Sequence, residues 1–504
     1  MTKGHSAMTL IPTLLILCCV LTGSDDAVEK KSVDTRPNII LMLSDDQSWN
    51  GLSVPMHPTA LGSASEVIET PSLEKMAAKG LRFSAAYAPA SVCSPTRISL
   101  QTGRSVAALG WTKAGPPVNA TQNYPMIGAP SRRSITAGET TIGEVLQSVG
   151  YTTAHLGKWH LEGGGPGKHG YDVHDGNWGN EAAAKFRDPN PVDLFGMAER
   201  SIDFMKKQQK EKKPFFLQLS WLALHQPQNA LAETVEKYKK KMRGGRERQA
   251  QRAALAENMD TAVGRILTAV DELGLSGNTY VIYMSDNGGN SRASLLGGGK
   301  GNLREGGIRV PFILQGPGIP ANSWSDTQIV GFDLFPTFCE WAHVPKEKMP
   351  KELEGGSLVP HLKSLAEIEV VRKKNTSTDT RKKTTLPPVA PVDRPREELV
   401  FHFPHYQAGD PPHSVIYHDG YKLFQFHDSG KTELYAITKD LAETKNLAPQ
   451  MKEKVEALTL KLGTYLETIQ AKMPTKNPQY DPQKPSTERK RRDRSNPRPR
   501  RERN

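Results

Sequence analysis

Three groups of polar residues in this 504-residue chain are of types and spacings that could do chemistry together. The first is Cys93-Ser94-Pro95-Thr96-Arg97. Pro95 suits the start of a helix ending near Gly103, which sets residue 93 by a helix N-terminus, where free N–H groups and the dipole favour negative charge. Arg97, one turn along, adds a fixed positive charge. Such a setting lowers a thiol pKa, or holds an oxyanion substrate against an oxygen nucleophile; an ordinary helix start over a buried thiol has the same residues. The second group is Asp45-Asp46 with Asp286-Asn287. These are hard oxygen donors that suit Ca²⁺ or Mg²⁺, whereas zinc would want more His or Cys. Each pair alone is also what a turn or helix cap uses. The third group is Lys158, His160, His225 and Lys300. Facing a metal site, these four would line a pocket for a tetrahedral dianion; singly, a loop Lys or His is usually surface decoration.

The surrounding sequence says how they are positioned. Asp45-Asp46 follows the apolar run Pro37 to Leu43, and the arrangement recurs three times: Tyr151 to Leu156 leads into Lys158 and His160, Phe215 to Trp221 into His225, and Thr279 to Met284 into Asp286. Near-continuous apolar runs predict strands covered on both faces. Helices are predicted between them, at Pro71 to Lys79, at Ile142 to Val149 with a capping box at Thr141 and Glu144, and at Glu247 to Leu273. Alternating strands and helices imply a doubly wound parallel sheet, whose ligands bind beyond the carboxyl ends of the strands. From Arg372 to Arg396 the composition turns to Lys, Thr, Asp and Pro and reads as a linker or insertion. Beyond it, four short strands (Leu399 to Phe403, Ser414 to His418, Tyr421 to His427, Thr432 to Tyr435) and a helix at about Met451 to Ala471 make a small α+β domain.

Hydrophobic content of 37% and charged content of 24% are ordinary for a globular protein, and the length allows two domains. Half of the net charge of +12 lies at one end: Glu488 to Asn504 hold nine Lys/Arg against three Asp/Glu. That tail reads as disordered, either without a specific partner or drawn to polyanions; no basic stripe with interleaved aromatics points to specific nucleic-acid binding. Leu10 to Leu21 is apolar, too short to span a bilayer, and suits the core of a signal peptide, so the mature protein is expected to be exported, secreted or periplasmic, without a transmembrane segment. Cys18 and Cys19 fall in that segment, which leaves Cys93 and Cys339 either to bridge or to stay as thiols. Asn119-Ala-Thr and Asn375-Thr-Ser are glycosylation sequons.

Taken together, CSPTR (93–97), PNIILMLSDDQ (37–47), GKWHLEG (157–163), HQP (225–227), SDNGG (285–289) and GGGKGNLREGGIRVP (297–311) resemble, in order, the motifs of the type I formylglycine-dependent sulfatases of the alkaline phosphatase superfamily. The resemblance runs from about Arg36 to Leu362 and continues weakly through HFPHY (402–406). It implies an α/β, alkaline-phosphatase-like sandwich with a large mixed, mostly parallel sheet, and a smaller C-terminal α+β domain with an antiparallel sheet. The boundaries expected are a signal peptide at 1–24, a catalytic domain at 36–369, a linker or insertion at 370–396, the C-terminal domain at 397–475 and a basic tail at 476–504. It also implies that a maturation enzyme converts Cys93 to formylglycine before folding, that Cys93 is therefore in no disulfide, and that Asp45, Asp46, residue 93, Asp286 and Asn287 hold one Ca²⁺. Arg97 would brace the nucleophile, and Lys158, His160, His225 and Lys300 would bind sulfate oxygens and manage protons. By the same resemblance the aldehyde is hydrated and one oxygen attacks sulfur. His225 protonates the leaving oxygen with Lys300 close by, and His160 takes the second hydroxyl's proton as sulfate departs. The implied substrate is a sulfated carbohydrate or an aryl sulfate. Trp111, Trp159, Trp178, His402, His405 and Tyr406 are candidates to stack on or hydrogen-bond sugars, or else pack loops. Alternatives are a phosphate or phosphonate monoesterase of the same fold, and an inactive binder of sulfated glycans.

Overall fold

The apolar runs become the strands of one eight-stranded sheet. In chain order they are β1 (Asn38–Ser44), β2 (Leu81–Phe83), β3 (Thr152–Gly157), β4 (Val173–His174), β5 (Phe215–Ser220), β6 (Thr279–Ser285), β7 (Phe312–Gln315) and β8 (Ser323–Ser325), ranked across the sheet β8-β2-β7-β6-β1-β5-β3-β4. The computed structural model describes residues 1–2, 34–116, 122–242, 247–289, 295–377, 386–407 and 410–484. The expected signal segment with Cys18 and Cys19, the Asn119 sequon, the Asn375 side chain, the stretch 378–385 of the expected linker and the basic tail beyond Lys484 lie outside the described residues.

Seven strands run parallel and β7 alone runs antiparallel to both its neighbours, β6 and β2. The sheet is therefore mixed and mostly parallel, not the fully parallel one that the strand–helix alternation by itself implies. The reason lies between β6 and β7, where the described residues hold a single four-residue helix. A parallel return needs a longer crossover element.

The described residues form ten α-helices: α1 (Pro71–Lys79), α2 (Cys93–Thr102), α3 (Ile142–Ser148), α4 (Leu194–Glu211), α5 (Ala232–Lys241), α6 (Glu247–Glu272), α7 (Glu305–Ile308), α8 (Leu334–Trp341), α9 (Val359–Ser377) and α10 (Lys452–Thr468). Alternate residues of β1 enter different cores. Ile40 and Met42 pack with α1, α4 and α6, while Ile39, Leu41 and Leu43 pack with α2, α3 and α8. With both faces covered, no position along β1 needs to be polar, which is why the run is continuous. The capping box forms, with Thr141 Oγ1 accepting from the Glu144 N–H at 3.2 Å and Glu144 Oε2 accepting from the Thr141 N–H at 2.8 Å. Helix α9 continues to Ser377, into the segment whose composition suggests a linker.

The C-terminal strands β9 (Leu399–Phe403), β10 (His413–His418), β11 (Tyr421–Phe426) and β12 (Thr432–Ala436) form an antiparallel sheet in that order. One face, with Phe401, Tyr417 and Phe424, shares a core with Tyr87, Val92, Leu303 and Ile308 of the main body. The other packs on Leu458, Leu462 and Tyr465 of α10.

Candidate active site

Four adjacent strands, β6-β1-β5-β3, deliver Asp286-Asn287, Asp45-Asp46, His225, and Lys158 with His160 beyond their carboxyl ends. Ser44 pairs with Ser285 in register, so Asp45-Asp46 and Asp286-Asn287 leave neighbouring parallel strands side by side. The Asp286 N–H donates to Ser44 O at 3.0 Å and the Asp46 N–H to Asp286 Oδ1 at 3.2 Å. On the other side of β1, the Lys158 N–H donates to Ser220 O at 2.8 Å, which ties the β3 end to the β5 end. Asp46 and His160 both hold φ of +60°, unusual for residues with a side chain and common where a site fixes its groups against backbone preference.

Cys93 opens α2, two residues earlier than the position of Pro95 suggests. A proline in the first turn donates no N–H where none has a helical partner, so the helix begins ahead of it. Its Sγ lies 3.4 Å from Asp45 Oδ1, 4.0 Å from Asp46 Oδ1 and 3.3 Å from Lys300 Nζ. Burial first, and then the Asp45 carboxylate, push its pKa well above the usual thiol range. This corrects the expectation of a lowered thiol pKa: the carboxylates and burial outweigh the helix dipole and the nearby cations. Cys93 and Cys339 are both free and buried, so no bridge joins them.

Arg97 is fully enclosed. Its Nη2 donates to Asp286 Oδ2 at 2.8 Å and to Asp45 Oδ2 at 3.3 Å, and its Nη1 donates to Lys158 O at 2.6 Å. Lys158 Nζ also contacts Asp45 Oδ2, and Lys300 Nζ sits 2.7 Å from Asp46 Oδ1. Burial favours the neutral form of Asp45, but Lys158, Arg97 and Lys300 outweigh it and hold the carboxyl far below its ordinary value. Asp286 is pushed up to about 6 by burial and by Asp45. Burial would strip Lys158 and Lys300 of their protons, yet the surrounding carboxylates raise both above the ordinary lysine value. His160 falls to about 3 through burial, with Lys158 and Arg97 adding to it. A ring nitrogen of His225, a carboxylate oxygen of Asp45 and the thiol of Cys93 lie within 4.8 Å of one another.

Lys300 arrives by a different route, on the glycine-rich loop ahead of α7. That loop is laid against the β6 end by Gly288, whose N–H donates to Gly307 O at 2.9 Å. A Cβ on Gly288 would stand 2.0 Å from Gly306 O, so only glycine allows this approach. The ten residues singled out in the sequence thus surround one point. Sequence reasoning missed Arg252, on α6, whose Nη2 donates to Asp46 O at 2.6 Å. Nothing local marks an arginine within a 26-residue helix for that role.

Oxygen ligands from Asp45, Asp46 and Asp286 with Cys93 Sγ lie within 4.8 Å of one another. Asn287 donates its amide to Asp46 Oδ1 at 2.8 Å, while its Oδ1 is buried with no hydrogen-bond partner. Three carboxylates and an unused amide oxygen are the donor chemistry of a hard divalent cation.

Residues 37–344 match the sulfatase family model, and the chain belongs to that family. It is a sulfuric ester hydrolase with the alkaline-phosphatase-like fold. A sulfatase of Formosa agariphila is 29% identical over 87% of this chain and 89% of its own length. The N-acetylgalactosamine-6-sulfatase of Rattus norvegicus is 31% identical over 71% of this chain and 70% of its own. Among solved structures, Ps i-CgsB in complex with k-i-k-neocarrahexaose superposes with a TM-score of 0.65 at 22% identity, covering 86% of this chain and 93% of that one.

Proposed function

We propose that this hydrolase removes sulfate from sulfated carbohydrates, using a formylglycine made from Cys93 as nucleophile and one Ca²⁺ held by Asp45, Asp46, Asp286 and Asn287. The setting of Cys93 carries the reading. Its Sγ stands 3.4 Å from a carboxylate oxygen and 3.3 Å from an ammonium, at the start of a helix. A buried thiol among carboxylates keeps its proton and is a poor nucleophile. The same position suits an oxygen that faces a divalent cation.

When bound, the cation supplies Lewis-acid stabilisation to that oxygen and to the ester. The chain's own residues account for the rest. Arg97 locks Asp45 and Asp286 in place and fixes the Lys158 carbonyl. Lys158 and Lys300 stay protonated and hold the sulfuryl oxygens where charge builds up, the largest contribution in sites of this kind. His160 is neutral at neutral pH and its Nδ1 is buried with no hydrogen-bond partner; burial, Lys158 and Arg97 make it a weak base, and it is the group assigned to receive the second hydroxyl's proton as sulfate leaves. His225 donates its Nδ1–H to Gln226 O at 2.7 Å, which fixes the ring; as an imidazolium it also carries a proton on Nε2, the one delivered to the departing alkoxide.

Cys93 is 2% exposed, so the maturation enzyme that oxidises it must act before the chain folds. Export follows from the apolar segment Leu10 to Leu21; among the described residues no helix is long and apolar enough to cross a membrane. The test is the mass of the peptide containing Cys93, from protein exported in a host with formylglycine-generating machinery, beside the anion released from matched sulfate and phosphate esters. An aldehyde or its hydrate, with sulfate released, supports the reading. An unmodified thiol beside a converted control sulfatase overturns the nucleophile, and phosphate as the preferred product overturns the substrate class.

A further inference from the structure

The carbohydrate reading leaves open what holds the sugar, and most of the side chains suggested by the sequence are buried too deeply to touch it. Trp111 and Trp159 are 2% and 1% exposed, and His402, His405 and Tyr406 are buried as well. Trp178 is 49% exposed, the only exposed tryptophan of the seven in the chain. An indole left half in water forfeits the burial that its area would bring, so its position matters.

That position is beside the catalytic loop. Trp178 O accepts the Trp159 N–H at 3.4 Å, between Lys158 and His160. The next residue, Gly179, has a φ of +81°, and a Cβ there would be 1.8 Å from Gly157 O, so the chain at 178–179 lies directly on the β3 end. Asn180 reaches the neighbouring β5 end, its Nδ2 donating to Ser220 O at 3.4 Å, while its Oδ1 is buried without a partner. The segment continues to Phe186, 40% exposed, whose carbonyl accepts from Asn229 Nδ2 at 3.3 Å, four residues beyond His225. Of the three exposed Phe, Tyr and Trp side chains among the described residues, two therefore stand on one short segment strapped across the strand ends that supply Lys158, His160 and His225.

We infer that Trp178 is a specificity-determining residue, a platform on which a ring of the sulfated saccharide stacks while the sulfate enters the Lys158–Lys300 pocket. The flat apolar face of a pyranose matches an indole face, and the remaining hydroxyls stay in water. This rests on the carbohydrate reading of the site.

The experiment compares wild type, Trp178→Ala and Trp178→Phe, all matured in the same host. The probes are N-acetylgalactosamine 6-sulfate, a neocarrahexaose and inorganic sulfate, the last filling the anion pocket without a sugar. For the saccharide that wild type handles best, Trp178→Ala should raise KM about tenfold and Trp178→Phe much less, while the inhibition constant of inorganic sulfate moves less than twofold. Equal losses for saccharide and sulfate, or no loss for either, overturn the platform and leave the carbohydrate reading standing. A wild type that cleaves an aryl sulfate yet binds neither saccharide more tightly than sulfate overturns both.

Discussion

Ser44 and Ser285 are register partners at the carboxyl ends of two adjacent parallel strands, and this pairing makes one site of Asp45-Asp46 and Asp286-Asn287, with Asp46 and Asp286 lying 240 residues apart in sequence. A slip of one residue would turn Asp45 or Asp286 into a core. The carboxylates so gathered are costly to hold together without a cation. Chelation with EGTA should abolish sulfate release and lower Tm, with Ca²⁺ restoring both, because a cation present at a hundred times its Kd adds about 2.7 kcal/mol of stability. Asp286→Asn should show a Tm that no longer responds to Ca²⁺. A Tm indifferent to chelation in wild type would count against the site.

Cys93 separates chemistry from folding. Its buried thiol donates to Asp45 Oδ1 at 3.4 Å, a contact that a serine hydroxyl can also make, so Cys93→Ser should fold with a Tm within a few degrees of wild type. Activity should fall by at least ~10³-fold in both Cys93→Ser and Cys93→Ala, since a nucleophile removed from a preorganised site leaves only binding and electrostatic assistance. Steady-state sulfate release and thermal unfolding on the same preparations check this.

Lys300 neutralises Asp46 at 2.7 Å, and in the proposed mechanism it also holds an oxygen of the transferring group. Lys300→Ala should lower kcat by roughly 10²–10³-fold, the usual cost of one oriented charge at a developing oxyanion. Lys300→Arg should recover little, because a planar fork does not fill the place of a compact ammonium. An unchanged kcat with a raised KM would instead assign Lys300 to ground-state binding.

The site was largely legible in the sequence because each cluster follows directly on an apolar run, and a strand covered on both faces leaves little ambiguity about where it ends. Convergence was not legible: nothing in the runs themselves ranks β6, β1, β5 and β3 as neighbours. The antiparallel β7 escaped because its direction is set by the short link before it and not by its four residues. Contacts across long sequence separations were equally silent. Arg252 lies 206 residues from the Asp46 carbonyl it binds, and Lys422 is a lysine within an otherwise ordinary strand pattern.

That lysine carries a consequence for the Lys300 loop. Lys422 is completely buried, with Nζ 2.9 Å from Glu305 Oε1 and 2.7 Å from Glu443 Oε1. Glu305 also binds Arg309 at 2.5 Å and opens α7, five residues after Lys300. Lys422→Met would leave the buried Glu443 carboxylate without its paired cation and Glu305 with Arg309 as its remaining ion pair, and should cost about 3–5 kcal/mol. It should also lower kcat although residue 422 touches none of the ten site residues, because the loop that presents Lys300 loses its anchor to the C-terminal sheet. Lys422→Met with Glu443→Gln should recover part of the stability, and a double-mutant cycle read by chemical denaturation measures how much.

The C-terminal sheet should also make the protein acid-labile. His402 and His405 are pushed down to about 3, and His413 and His427 to about 4, chiefly by burial. Their partners are hydroxyls and carbonyls: Ser414 for His402 and His427, Lys472 O for His402, Thr112 for His405 and Pro411 O for His413. Charged neighbours mostly oppose protonation, with Lys113 beside His405 and Arg304 and Lys422 near His413; Glu433 near His413 opposes them weakly. Below pH ~6.5 the unfolded chain binds protons that the folded chain refuses, so stability falls as pH falls from about 6.5 towards 4. Each such histidine contributes about 1.4 kcal/mol per pH unit in the limit where only the unfolded state is protonated, or up to about 5 kcal/mol per unit for all four. Tm should therefore be flat above pH 7 and drop steeply between pH 6 and 5. His427→Gln, which keeps a donor for Ser414, should reduce the proton uptake on unfolding by close to one. A Tm unchanged down to pH 5 would mean that these rings are protonated within the fold.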